Sequence, residues 1–165
     1  MTDGGLTDYE LGKYGRTFAP VKADCLLHDH DVVTPGNMRL VTLHHPVHSK
    51  GSCSYLFDVE DDKRSYKDLI ANMPSIIIDR KFSEVKAYSA IADYYAYVLT
   101  HMKSLSFDIW LASHASQFNL HSKHLPGDGY NPEAFIDRAG FDAELAQLGK
   151  DYDKKLEEQR MSLFI

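Results

Sequence analysis

Residues 38–71 read MRLVTLHHPVHSKGSCSYLFDVEDDKRSYKDLIA, and this one stretch carries the pattern of a sheet. Residues 38–43 alternate, with Met38, Leu40 and Thr42 against Arg39, Val41 and Leu43, as the two-residue period of a strand requires. Pro46 has no N–H to give a sheet ladder and stops that run, and Gly51 relaxes the backbone just beyond it. His44, His45 and His48 are thereby delivered into a loop at a strand end. Residues 53–59 form a second β-type run and residues 65–71 a third, with the charged residues 60–64 between them as a hairpin turn. The order strand, acidic turn, strand implies an antiparallel pair.

Outward from this core the period changes. Val85, Tyr88, Ile91, Tyr95, Val98, Met102 and Leu105 recur at threes and fours, which predicts an amphipathic helix over residues 84–105. Residues 107–112 are a compact strand running into Ser113-His114. Pro126, Gly127, Gly129 and Asn131-Pro132 mark a loop, and a last helix fits residues 138–159, with Asp137 as its N-cap. Before the core, residues 1–20 are loop-like, residues 21–27 suggest a short strand, and residues 29–36 a turn region. The chain has no internal repeat and no low-complexity linker. The fold class is α/β, a small, mostly antiparallel sheet with two long helices over one face.

At 165 residues the chain is long enough for one domain with a sizeable core. A formal charge of −6 gives no sign of a nucleic-acid or anionic-membrane surface. There is no apolar stretch near the length that crosses a bilayer. The start, residues 1–5, is polar and glycine-rich, so a secretory signal is not expected there. Cys25 and Cys53 are too few for a disulfide framework and read as two free or partly buried thiols.

Nine histidines are many for this length, and each cluster has an ordinary reading as well as a functional one. His28-Asp29-His30-Asp31 would put both rings on one face of a strand, yet turn chemistry explains its aspartates without a metal. In the run His44, His45, His48, only His48 is held inside the loop; the other two lie on opposite faces of the strand end. His114 likewise opens a loop directly after a strand. Loops of this kind are where a zinc hydrolase collects ligands, although a histidine standing alone in one is more often structural. His101 falls within the predicted helix as a surface or packing residue, and His121 and His124 lie in a polar segment that would flank a pocket.

Four blocks read together carry a resemblance: Pro46-Val47-His48-Ser49-Lys50-Gly51, Ala71-Asn72-Met73-Pro74-Ser75, Phe107-Asp108-Ile109-Trp110-Leu111-Ala112-Ser113-His114-Ala115-Ser116, and Pro126-Gly127-Asp128-Gly129-Tyr130-Asn131-Pro132. In order and spacing the chain resembles the C-terminal half of a subclass B3 metallo-β-lactamase, from the Gly4-Gly5 region to about Gln159. Residues 161–165 form an unmatched tail. The resemblance implies half of an αββα sandwich and a single, incomplete domain over residues 1–165. It implies a zinc hydrolase that opens β-lactams and confers antibiotic resistance, with up to two zinc ions, in a family whose complete members are periplasmic or secreted. It matches His48 to a ligand of the first zinc site, His114 to a ligand of the second, and Ser75 to a serine that hydrogen-bonds the substrate carboxylate. Met73 stands where serine is common. Val47 replaces a loop glycine and would be strained if that glycine has a positive φ. His30 falls at the glycine of a D-G-D turn, which removes His28 and His30 as ligands.

The family's upstream H-x-H-x-D-H motif, which supplies the remaining ligands, does not occur in this sequence. Weak zinc binding and little or no β-lactam hydrolysis are therefore expected of the chain alone. One face of its sheet would lack a cover, which invites an N-terminal half or a homodimer. Two further readings remain: a non-catalytic remnant or interaction module, and another hydrolase of the superfamily such as a lactonase or thioesterase.

Overall fold

The computed structural model describes residues 2–8 and 12–161. Its centre is one five-stranded sheet in the order β1-β2-β3-β4-β5. The strands are β1 (Val32–Val33), β2 (Leu40–His44), β3 (Cys53–Glu60), β4 (Ser65–Ala71) and β5 (Ile109–Ala112). Neighbours from β1 to β4 are antiparallel, and β4 pairs β5 in parallel. A parallel pair needs a crossover, which the helix α1 (Ile91–Ser104) supplies. The helices are completed by the single turn α2 (Leu120–Lys123) and the long α3 (Arg138–Met161).

The register explains which face is core. Leu56 opposes Leu69, Leu69 opposes Trp110, and Leu43 opposes Ser54, so these residues share the face that meets the helices. Ile91, Tyr95, Val98 and Met102 of α1 and Phe141, Leu145 and Leu148 of α3 complete one buried cluster with them. Trp110 stacks edge-on to Phe141 at 5.2 Å between ring centres. Its indole N–H donates to the Asp137 carbonyl at 2.8 Å, so no polar group of the ring is stranded. The opposite face carries Tyr55, Phe57, Val59, Tyr66, Ile70, Ile109 and Leu111 around a buried acid, Asp68. The loop 124–135 roofs one end of this face and leaves a cleft of about 440 Å³. Elsewhere the face is only partly covered, with Tyr55 and Phe57 half-buried and Ile70 37% exposed.

The α/β class, the three central strands and the acidic turn agree with the sequence reading to within two residues. Three local expectations change. Residues 21–27 form no strand; they are exposed, and no neighbouring strand pairs with them. The first long helix begins at Ile91 rather than residue 84, because residues 82–84 and 86–88 form two 3-10 turns. Val85 and Tyr88 are still buried, since a 3-10 turn also returns a side chain to one face every three residues. In the turn region 29–36, Val32–Val33 bridges to β2. Of the tail set apart at residues 161–165, Met161 ends α3 and the rest lies outside the described residues.

Candidate metal centre

Because β3 runs antiparallel to both β2 and β4, and β4 parallel to β5, the C-terminal ends of β2, β4 and β5 lie along one sheet edge. The loops carrying His48, Ser75 and His114 leave from those three ends. The first is closed by its own short bonds. Ser52 Oγ donates to the Ser49 carbonyl (2.8 Å), and His45 N–H donates to the Ser52 carbonyl (3.0 Å). Tyr88 O–H ties the Pro46 carbonyl to the core at 2.6 Å. Val47 is fully buried. Apart from glycines, only His30 and Asn119 among the described residues have positive φ, so Val47 carries no backbone strain.

His48 sits half-buried between the ends of β2 and β4. Its Nδ1 lies 3.0 Å from Asn72 Oδ1, and its Nε2 lies 2.9 Å from Ser75 Oγ and 3.0 Å from the Ser75 carbonyl. Burial lowers its pKa, hydrogen bonds to Ser75 and Asn72 oppose that, and the neighbouring His114 lowers it again. His114 is exposed at the start of the 3-10 turn Ala115–Phe118, where its N–H donates to Gln117 Oε1 at 3.3 Å. Met73, beside Ser75, points into the core and is 1% exposed.

The other histidines separate clearly. His28 and His30 are exposed in a turn, and His30 has φ 63°, the left-handed conformation of a turn glycine. His44 Nε2 meets the Lys50 carbonyl at 2.8 Å. His121 is exposed, and His124 lines the cleft on the open sheet face. His45 is fully buried, with Nδ1 2.6 Å from Ser54 Oγ and Nε2 2.9 Å from His101 Nδ1. Burial, then the charge of His101, lowers its pKa to about 4. His101 is thus more than a surface or packing residue of its helix. Ser54, Asn72 and this His45–His101 pair were invisible to sequence reasoning, because their partners lie 9 to 56 positions apart. Cys25 is exposed, Cys53 is half-buried, and both thiols are free.

His48 has the surroundings of a ligand, since metal-bound histidines bond their second nitrogen to an outer acceptor as Nδ1 does to Asn72. The set as a whole falls short. Among the described residues no three His, Cys, Asp or Glu side chains gather where a metal ion would be held, whereas a catalytic zinc takes three protein ligands. Also among them, no helix is long and apolar enough to cross a membrane.

No protein-family model matches the chain, and no curated protein sequence matches it. Solved structures do. The class B3 di-zinc metallo-beta-lactamase LRA-12 from an Alaskan soil metagenome is 60% identical, with a TM-score of 0.90 over 94% of this chain and 59% of its own. The metallo-beta-lactamase GOB-18 from Elizabethkingia meningoseptica is 54% identical (TM-score 0.92; 95% of this chain, 58% of its own). A beta-lactamase from Chitinophaga pinensis is 52% identical (TM-score 0.90; 94% and 59%). The chain therefore spans less than two thirds of the length of the proteins it matches. Its sheet and helices correspond to half of a metallo-β-lactamase fold.

Proposed function

We propose that this chain is the C-terminal part of a subclass B3 metallo-β-lactamase, and that it supplies the late ligands of a two-zinc β-lactam hydrolase. The observation that carries the reading is the convergence of His48, Ser75 and His114 at one sheet edge, in a fold 60% identical to a di-zinc enzyme of that class. His48 would hold the first zinc through Nε2, and His114 the second. Zinc, when bound, lowers the pKa of its water so that hydroxide is present near neutral pH. Ser75 Oγ, beside His48 Nε2, offers its hydrogen bond to the substrate carboxylate. The remaining ligands would come from an N-terminal half seated on the open sheet face, where apolar side chains await a second layer.

By itself the chain is a poor catalyst in this reading, with one histidine for each of two metals and no third ligand nearby. Calorimetric titration of zinc onto the isolated chain is expected to show binding weaker than micromolar; micromolar or tighter binding overturns that. Nitrocefin hydrolysis is expected only when an N-terminal half carrying H-x-H-x-D-H is supplied. No turnover of nitrocefin by the reconstituted pair, with turnover of a lactone or thioester, would move the substrate class within the superfamily. The incomplete ligand set favours a second reading, a non-catalytic module that self-associates through the open face. Light scattering that finds a dimer, together with a failure to bind an N-terminal half, is the result that selects it.

A further inference from the structure

We propose that Asn72 is a positioning residue that sets the tautomer of His48, holding the proton on Nδ1 and so committing Nε2 to metal. The inference rests on the reading of His48 as a ligand and adds to it which nitrogen ligates and why. Asn72 is the first residue after β4 and is only 8% exposed. Its amide orientation is dictated from one side: Nδ2 stands 2.9 Å from the His45 carbonyl, which can only accept. The amide must therefore turn its NH₂ to His45 and its Oδ1 to His48. Oδ1 also only accepts, so the His48 nitrogen 3.0 Å away must carry the hydrogen.

The competing arrangement is disfavoured whichever way the Asn72 amide is turned. With the proton on Nε2, His48 could donate to the Ser75 carbonyl at 3.0 Å, but Nδ1 would turn a lone pair toward Asn72 Oδ1. Turning the amide over to relieve this would set Oδ1 against the His45 carbonyl instead. With the proton on Nδ1, Asn72 Oδ1 is matched and Ser75 O–H donates to Nε2 at 2.9 Å; the Ser75 carbonyl, 3.0 Å from the unprotonated Nε2, takes its hydrogen from Tyr95 O–H at 3.1 Å instead.

The same logic runs on from the Asn72 backbone. Its N–H donates to Ser54 Oγ at 2.8 Å, and the fully buried Ser54 hydroxyl has His45 Nδ1, at 2.6 Å, as the acceptor for its own hydrogen. His45 then holds its single proton on Nε2 and donates it to His101 Nδ1 at 2.9 Å. The proton of His101 is left on Nε2, on a ring stacked against Tyr97 at 5.4 Å. The Asn72 side chain and the buried Ser54 hydroxyl thus set three histidines, and opposite tautomers result for His45 and His48. Anchoring of this kind at a metal ligand is worth about 10- to 100-fold in metal affinity.

The test is a long-range proton–nitrogen correlation spectrum of the full chain with nitrogen-15 in its histidines, at a pH where His48 is neutral. The proton is expected on Nδ1 of His48 and on Nε2 of His45 and His101. A His48 protonated on Nε2 overturns the inference, and this arm needs no variant. In Asn72→Leu the acceptor is gone, and His48 is expected to shift toward the Nε2-protonated form that predominates in water. In Asn72→Asp one oxygen still faces Nδ1 and the hydrogen is expected to stay there, while the other oxygen loses the bond to the His45 carbonyl and lowers stability. Zinc titrated onto the same samples should move the Nε2 resonance of His48, at about 10- to 100-fold higher concentration in Asn72→Leu. A His48 tautomer and zinc midpoint both unchanged in a folded Asn72→Leu also overturn the inference. If the tautomers behave as stated and zinc perturbs His48 in no sample, the setting of the proton by Asn72 stands and the assignment of His48 as a ligand fails.

Discussion

At position 47 a valine stands where the resemblance places a glycine, and at position 45 a histidine is sealed from water; both turn on single side chains. Val47 needs no special backbone freedom, and its side chain fills the core beneath the loop. Val47→Gly is therefore expected to destabilise the chain by about 2–4 kcal/mol, through a lost buried side chain and a looser unfolded state. Urea unfolding measures this, and a neutral or stabilising outcome would show that the loop does want glycine. His45 makes stability depend on pH. Its folded pKa of about 4 lies below its ordinary 6.5, so the folded state favours the neutral ring. That contribution is complete above pH 6.5 and is lost as pH falls toward 4. Between pH 7 and pH 5 the loss should be on the order of 2 kcal/mol. Urea midpoints should fall more steeply over that window in the parent than in His45→Gln.

Among the elements, α3 shows most plainly how a local signal and a tertiary one meet. Asp137 was legible as an N-cap, and its Oδ1 does accept from Gly140 N–H at 2.8 Å. The sequence did not show that Oδ2 pairs with Lys123 at 2.8 Å, or that the carbonyl receives the Trp110 indole. The Lys123 contact, first, and the Gly140 N–H hold the Asp137 carboxyl below its ordinary pKa. This crowding reverses an ordinary helix rule. Glycine to alanine inside a helix usually gains about 1 kcal/mol, but a Cβ at Gly140 would run into the Asp137 carboxylate. Gly140→Ala should lower the melting temperature and lose its effect in an Asp137→Ala background. Additive effects of the two changes would count against the clash. The early end predicted for α1 failed for a related reason. Apolar spacing of three fits a 3-10 turn as well as an α-helix, and local pattern does not separate them.

On the scale of the whole molecule, the partly covered sheet face is where the proposed N-terminal half would sit, and Asp68 reports on it. It lies among apolar side chains of that face, only 9% exposed, and its Oδ1 has no hydrogen-bond partner. Burial, then Asp108 and Asp58, raises its pKa from 3.8 to about 6. A raised acid favours the protonated fold, so its cost is absent below pH 3.8, grows as pH rises toward 6 and levels off above that. Asp68→Asn should stabilise the isolated chain by on the order of 1–3 kcal/mol at pH 7 and by little at pH 4. Equal effects at both pH values would place the carboxylate in a polar setting after all. If the proposed N-terminal half covers the face and brings a donor to Asp68, the gain at pH 7 should shrink or change sign.

Sequence by itself determined what depends on neighbours along the chain: the strand periods of residues 38–71, the acidic turn, the Pro46 stop, the cap at Asp137 and the turn at His30. It also marked His48, Ser75 and His114 as the residues to watch, by resemblance. Tertiary structure alone decided that three strand ends bring their loops to one edge. It decided that Asn72 and Ser54 link His48 to a buried His45–His101 pair, and that one acid is stranded on an uncovered face. The reason is physical. Strands and caps follow from bonds within a few residues, whereas these contacts join positions 9 to 56 apart and exist only once sheet register has set where each side chain stands.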